Sequence, residues 1–383
     1  MSEPRLFDRA VIAGIGHTEF SKESGRSTLQ LAAEASRAAI ADSGLSPRDI
    51  DGMVTFTLDD NDELALMDNL GIPALSWTSR TPFGGGGAGA VIQHAVAAVG
   101  SGAASTVLVY RAFNERSERR FGQPEAASNV PGKVSYRPYG LDTPAKIYSL
   151  WWQRYMYENG ATNEDFGRYS VVARTWAATN PNAWYYRRPI TLQDHQQSRW
   201  IVEPILRLLD CCQESDGGVA LVVTGAGRAA DLAQPAGRVA AATQGHLRGG
   251  DIRFDFHHPD LGHYPEAGLV AQRLWQASGL KPSDIQVAMI YENFSPIVFL
   301  QLESLGFCGR GEAKDFIAEG HIGPGGTIPV NTNGGLLGEA YIHGINNIIE
   351  GVRQLRGTAA NQIEHVDNVV VASGRSAMIL TRH

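Results

Sequence analysis

Short apolar runs ending in glycine alternate with alanine-rich amphipathic stretches along this chain, and the whole alternation occurs twice. An apolar, β-branched run at residues 10–15 predicts a strand. Residues 27–41 predict a helix, because the stretch is rich in alanine and opens with a Ser-x-x-Gln capping pair, Ser27 and Gln30. A glycine cluster at 84–87 follows, then a helical pattern through about residue 99 and a strand at 105–110. The same order returns downstream: a strand at 239–243, a helix at 266–277, Gly334-Gly335, a helix from about 340 to 355, and a strand at 368–372. The connecting words match too. Leu45-Ser46-Pro47-Arg48-Asp49-Ile50 recurs as Leu280-Lys281-Pro282-Ser283-Asp284-Ile285, each preceded by Ser-Gly. A repeated strand–helix order predicts an α/β molecule with pseudo-twofold symmetry, its sheets packed around central helices.

Between the copies, residues 113–204 are rich in Arg, Tyr and Trp and read as an inserted cap over the pocket, or as a helical decoration or dimer surface. The expected units are a first half of 1–112 with 205–235, the insertion 113–204, and a second half of 236–383. Composition narrows the partners. Hydrophobic residues are 43% and charged residues 19% of the 383, and no run of about 18 apolar residues suggests a membrane span. A formal charge of -7 argues against bulk nucleic-acid binding, so an anionic ligand needs a local basic patch. Three cysteines, Cys211, Cys212 and Cys308, make neither a disulfide framework nor a Cys-x-x-Cys zinc site. With no secretory layout at the N-terminus, a cytoplasmic location is expected. The histidines 257, 258 and 263, with Tyr264, lack the carboxylate or cysteine spacing of a metal site, and they read as a loop near the pocket.

Several long words carry a resemblance. Ser215-Asp216-Gly217-Gly218-Val219-Ala220 and Asn331-Thr332-Asn333-Gly334-Gly335 are similar to thiolase motifs, and the duplicated layout resembles the thiolase fold over nearly the whole chain. Tyr110 to Ser117 and Gly338 to Gly344 look like the sterol-carrier-protein thiolase-like, or lipid-transfer-protein, branch, and most like its actinobacterial aldolases that remove a steroid side chain. The resemblance implies a five-layered α-β-α-β-α arrangement. Thiolases place a nucleophilic cysteine where the first glycine-rich helix begins, since a thiolate is favoured there. Here Thr81-Pro82-Phe83-Gly84-Gly85-Gly86-Gly87 has no thiol, and the second family cysteine is missing near Ala372-Ser373-Gly374. Covalent acyl transfer is not expected, and Cys211 and Cys212 read as small buried hydrophobes.

Two further motif positions, His or Asn in the family, fall on Tyr341 and Tyr291. Paired phenols suit a retro-aldol cleavage, which removes a β-hydroxyl proton and returns one to a thioester enolate without any nucleophile. By resemblance both are catalytic: Tyr291 is the expected base, and Tyr341, at the start of a helix, the group that stabilises or protonates the enolate, aided by His343. Glu292, Asn293 and Glu339 are expected to orient them or to be plain structure. Gly84, Gly85, Gly86 and Gly335 read as room for close substrate approach and amides for an oxyanion, or as turns. Arg111, Arg116 and Arg119, with Arg120 and Lys133, are candidate contacts to CoA phosphates, or surface charges.

The expected activity is cleavage of a 17-hydroxy steroid-carboxyl-CoA to a 17-keto steroid and propionyl-CoA, with no cofactor and no metal, CoA being part of the substrate. The resemblance further implies a homodimer joined by a small OB-fold and zinc-ribbon partner from a steroid enoyl-CoA hydratase, forming a heterotetramer. Two rivals stand beside it: a non-catalytic acyl-CoA or lipid carrier, and an acyltransferase using one of the three cysteines.

Overall fold

The structure is a computed structural model that describes residues 6–82, 84–118, 120–123, 137–248 and 259–382. Its first half runs β1 (Ala10–His17), α1 (Thr28–Ser43), β2 (Gly52–Phe56), α2 (Glu63–Leu70), β3 (Trp77–Thr81), α3 (Ala88–Ser101) and β4 (Thr106–Asn114). An insertion follows with α4 (Pro144–Asn159), α5 (Asn163–Thr179), α6 (Leu192–Gln197) and a two-stranded ribbon of β5 (Trp200–Val202) and β6 (Leu206–Arg207). The chain returns through β7 (Asp216–Gly225) and enters its second half at β8 (Gly237–Gln244). That half continues with α7 (Pro265–Ser278), β9 (Val287–Ile290), α8 (Pro296–Leu305), α9 (Ala313–Ala318), α10 (Gly335–Gly338), α11 (Ile345–Arg356), β10 (Asn368–Ala372) and β11 (Ser376–Thr381).

Among the described residues nine strands form one sheet, ordered β3-β2-β4-β7-β1-β8-β11-β10-β9. Apart from β3 the order is the same from either end. β2 lies parallel to β4, β4 antiparallel to β7, and β7 antiparallel to β1. Likewise β9 lies parallel to β10, β10 antiparallel to β11, and β11 antiparallel to β8. The half-sheets meet in a short antiparallel ladder, Val11 opposite Arg238 and Ile12 opposite Gly237, as a twofold relation demands. Helices α3 and α11 lie against strands of both halves, whereas α1 packs on β1, β4 and β7 and α7 on β8 and β11. This is the layer order of the expected thiolase fold. Sandwiched strands have no wet face, and β7 reads as a nearly unbroken apolar run for that reason.

The insertion is not a loose decoration. Helices α4 and α5 bury Trp152, Tyr155, Phe166 and Tyr169 in one core with Phe294 and Phe299 of the second half. The Trp152 and Phe294 rings lie 5.0 Å apart, and the Tyr155 hydroxyl donates to Glu303 Oε1 at 2.6 Å. Full burial of such aromatics contributes roughly 1.5–3 kcal/mol each, which fixes the insertion to the domain.

Two local expectations need correction. Ser27 caps α1 by accepting from the Gln30 N–H at 3.2 Å, but the Gln30 side chain turns away to Glu34 at 2.9 Å, so the reciprocal bond is not made. The final helix starts at Ile345 rather than near residue 340, which puts Tyr341 in a loop four residues ahead of it. His343 and Gly344 have φ of 50° and 79°, left-handed values that stop a right-handed helix from extending backwards. The helix dipole therefore does not act on Tyr341 from within its own first turn.

Candidate active site

Tyr291 directly follows β9 and carries the ladder one step further, its N–H donating to Ala372 O at 2.7 Å. Tyr341 sits in the loop between α10 and α11, where its N–H donates to Ser215 Oγ at 3.2 Å. The two phenolic oxygens are 2.8 Å apart, and the residues are 6% and 7% exposed. Sequence positions 50 apart thus converge on one hydrogen bond. Burial pushes both phenols well above their ordinary value; the shared bond opposes this for Tyr341 and adds to it for Tyr291. Either hydroxyl can donate in this bond, the other accepting. Burial thus favours the protonated form of both phenols.

The glycine loop fits around this pair. A Cβ on Gly85 would lie 1.7 Å from Tyr291 Cε2, and one on Gly84 would lie 2.7 Å from His343 Cε1. The room made by these two glycines is filled by protein rings rather than left to substrate. Gly86 is less crowded, since a Cβ there would come no closer than 3.7 Å, to Ser373 O, and its carbonyl accepts from Ser376 Oγ at 2.8 Å. Gly335 plays no oxyanion part: its N–H donates to Asn333 Oδ1 at 2.9 Å, and a Cβ there would meet Glu292 Oε1 at 1.7 Å.

His343 stands against Tyr341 edge-on at 5.3 Å between ring centres and stacks on Phe121 at 5.5 Å. Its Nδ1 accepts from Arg111 Nε at 3.1 Å, which leaves the ring proton on Nε2. Burial and Arg111 hold the imidazole well below its ordinary value, so it is neutral. Arg111 is itself 1% exposed and paired with Asp59 at 2.8 Å. It belongs to the protein interior and is not a CoA contact, a correction to the sequence expectation: its guanidinium is consumed by Asp59, the Ala112 carbonyl and His343.

The flanking acids diverge. Glu292 turns away from the cavity to accept from the Leu336 N–H at 2.7 Å, and burial lifts it to about 8. Glu339 accepts from Asn333 and Asn346 at 2.6 and 2.9 Å, and burial lifts it to about 7. Both brace the loops that carry the tyrosines. Asn293 instead lines the cavity, with a buried Oδ1 that finds no partner among the described residues.

That cavity has a volume of about 500 Å³ and reaches Tyr341. The start of α4 forms one wall through Thr143, Ala145 and Lys146, and Arg116 and Arg120 form another. Arg119 and Lys133, along with His257 and His258, lie outside the described residues. Cys211 and Cys212 also line the cavity, which their reading as plain core residues did not anticipate. Burial and neighbouring acids raise both thiols, so the thiolate an acyl transfer needs is disfavoured. Sequence reasoning missed Glu115, a buried acid on the same cavity; its signal was an acidic residue directly after the β4 pattern. Among the described residues no cluster of metal-ligating side chains occurs.

The chain is 53% identical over 376 residues to the 17-hydroxy-3-oxo-4-pregnene-20-carboxyl-CoA lyase of Mycobacterium tuberculosis, covering 96% of this chain and 97% of that one. It is 54% identical over 371 residues to a steroid side-chain-cleaving aldolase of Thermomonospora curvata, covering 95% of each. The chain belongs to this aldolase family. Residues 256–381 match the thiolase C-terminal domain-like family. The solved Ltp2–ChsH2(DUF35) aldolase superposes with a TM-score of 0.93 at 53% identity, over 98% of both chains. Human mitochondrial 3-ketoacyl-CoA thiolase shares the fold at a TM-score of 0.70 and 14% identity. The aldolase thus has a thiolase scaffold, with a hydrogen-bonded pair of phenols beside its cavity.

Proposed function

We propose that this aldolase cleaves a 17-hydroxy steroid-carboxyl-CoA, the kind of substrate named for its mycobacterial relative, into a 17-keto steroid and propionyl-CoA. The observation that carries the reading is the buried Tyr291–Tyr341 bond beside a cavity whose thiols are held protonated. Such a pair can relay a proton without either phenol carrying a full charge. Tyr291 takes the β-hydroxyl proton and passes its own to Tyr341, which gives its proton to the α carbon. Meanwhile the electrons of the broken Cα–Cβ bond form the enolate and the hydroxyl oxygen becomes the ketone. Each tyrosine ends the step neutral.

His343, fixed by Arg111, keeps the Tyr341 ring in place. Arg116 and Arg120 on the cavity wall suit the CoA phosphates, although both approach Glu214, at 4.0 and 2.7 Å. Similarity to an aldolase solved with a DUF35 component supports a DUF35 partner for this chain. A homodimeric core and a cytoplasmic location are part of the same reading; among the described residues no helix is long and apolar enough to cross a membrane.

The test is incubation of the full chain, co-expressed with a DUF35 partner, with 17-hydroxy-3-oxo-4-pregnene-20-carboxyl-CoA. A steroid ketone and propionyl-CoA should appear in equal amounts, with the protein mass unchanged. Substrate bound but recovered intact would establish a carrier instead. An acyl adduct on Cys211, Cys212 or Cys308 would establish an acyltransferase.

A further inference from the structure

The relay leaves one charge without a partner. As the Cα–Cβ bond breaks, negative charge collects on the thioester oxygen, and a donor aimed there contributes more than any other single group. The glycine loop is a weak source of that donor, since Tyr291 and His343 occupy the space beside Gly85 and Gly84.

Glu115 follows β4, is 2% exposed, and lines the same cavity as Tyr341. It is tied to Tyr341 through one residue: the Glu115 N–H donates to Ser215 O at 3.3 Å, and the Tyr341 N–H donates to Ser215 Oγ at 3.2 Å. Glu115 Oε2 is buried and has no hydrogen-bond partner among the described residues. A buried polar atom without a partner is costly, and one placed on a substrate cavity has an obvious means of being satisfied. We propose that Glu115 is a further catalytic residue, whose carboxyl donates a hydrogen bond to the thioester oxygen of the bound substrate and stabilises the enolate. Its proton stays on the carboxyl throughout, so the proton balance of the tyrosine relay is unchanged.

The setting supports a donor rather than a base. Burial and Glu214 push the carboxyl well above its ordinary range, outweighing a backbone hydrogen bond from Ser215 and the charges of Lys22 and Arg111. Arg120, Cys212 and Tyr341 are the other titratable groups that feel it. A carboxylic acid kept neutral by its surroundings can donate where a carboxylate cannot. Arg111 is paired with Asp59 at 2.8 Å, and its pull toward the ionised form of Glu115 is outweighed by burial.

This inference rests on the aldolase reading, and the test separates the two. The full chain with its DUF35 partner is assayed as wild type, Glu115→Gln and Glu115→Ala across pH. Glu115→Ala should lose about 100-fold or more in kcat. Glu115→Gln keeps an N–H donor and should stay within about tenfold of wild type. Wild-type kcat should fall at alkaline pH as the acid ionises, and that limb should vanish in Glu115→Gln. Equal activity of all three, or equal losses in both variants with the limb unmoved, overturns the role of Glu115 and leaves the aldolase intact. A wild type that releases no ketone sinks the aldolase reading and this proposal with it. Should the variants fail to fold, infrared spectra of wild type decide. A protonated-carboxyl band that shifts when a substrate analogue lacking the β-hydroxyl binds supports the role, and an unshifted band overturns it.

Discussion

Tyr291 and Tyr341 share a hydrogen bond in which one phenol donates and the other accepts, both rings being buried. Deleting either hydroxyl strands its partner and breaks the relay. Tyr291→Phe and Tyr341→Phe should each lower kcat on the order of 10²–10⁴-fold. Each should also cost roughly 1–3 kcal/mol in urea unfolding, because a buried polar group is left unpaired. The double variant removes both partners, so its stability should lie closer to wild type than the sum of the singles. Additive losses would show that the two hydroxyls do not depend on one another.

Gly85→Ala places a methyl 1.7 Å from the Tyr291 ring, and the neighbour that must move is the reacting side chain itself. Turnover should collapse, with a stability loss of about 1–3 kcal/mol from overpacking. Gly86→Ala meets nothing closer than 3.7 Å and should behave nearly as wild type in both assays. Similar outcomes for the two variants would refute the close fit of loop and ring.

Arg111→Met leaves Asp59 buried without its cation, since Asp59 is 3% exposed. The expected loss is about 3–5 kcal/mol in chemical denaturation, and adding Asp59→Asn should recover a good part of it. A variant of native stability whose only defect is a raised KM would return Arg111 to the role of a CoA contact.

Glu292 gives stability a pH signature. Its folded value rises from 4.5 to about 8, so between those limits the native state holds a proton that the unfolded chain has released. Its contribution is fully present below about pH 4.5 and is lost as the pH rises through about 8. Denaturation midpoints should fall across that window in wild type and fall less in Glu292→Gln, which can still accept from Leu336. Parallel curves would mean that Glu292 does not set the slope.

Much of this architecture is legible in the sequence because it is local or repeated. The strand expected at 368–372 is β10 as it stands, and the two proline-bearing words recur at equivalent corners. The tyrosines were found through motif positions that both lie in the second half, 50 residues apart. What escaped depends on distant segments. Arg111 looks like a surface cation until Asp59 and His343, 52 and 232 residues away, close around it. Glu115 looks ordinary until Ser215 and the cavity are in place. The early end of α11 depends on left-handed turns at His343 and Gly344, which a helical pattern from residue 340 conceals.

The seam between the half-sheets is only two residue pairs long, yet Gly85 and Tyr291 approach each other from opposite sides of it. The reaction chamber is therefore assembled from both halves and belongs to neither alone. A chain cut near residue 236 would leave two fragments, one holding the glycine loop and the other both phenols, and neither could work until they reassembled.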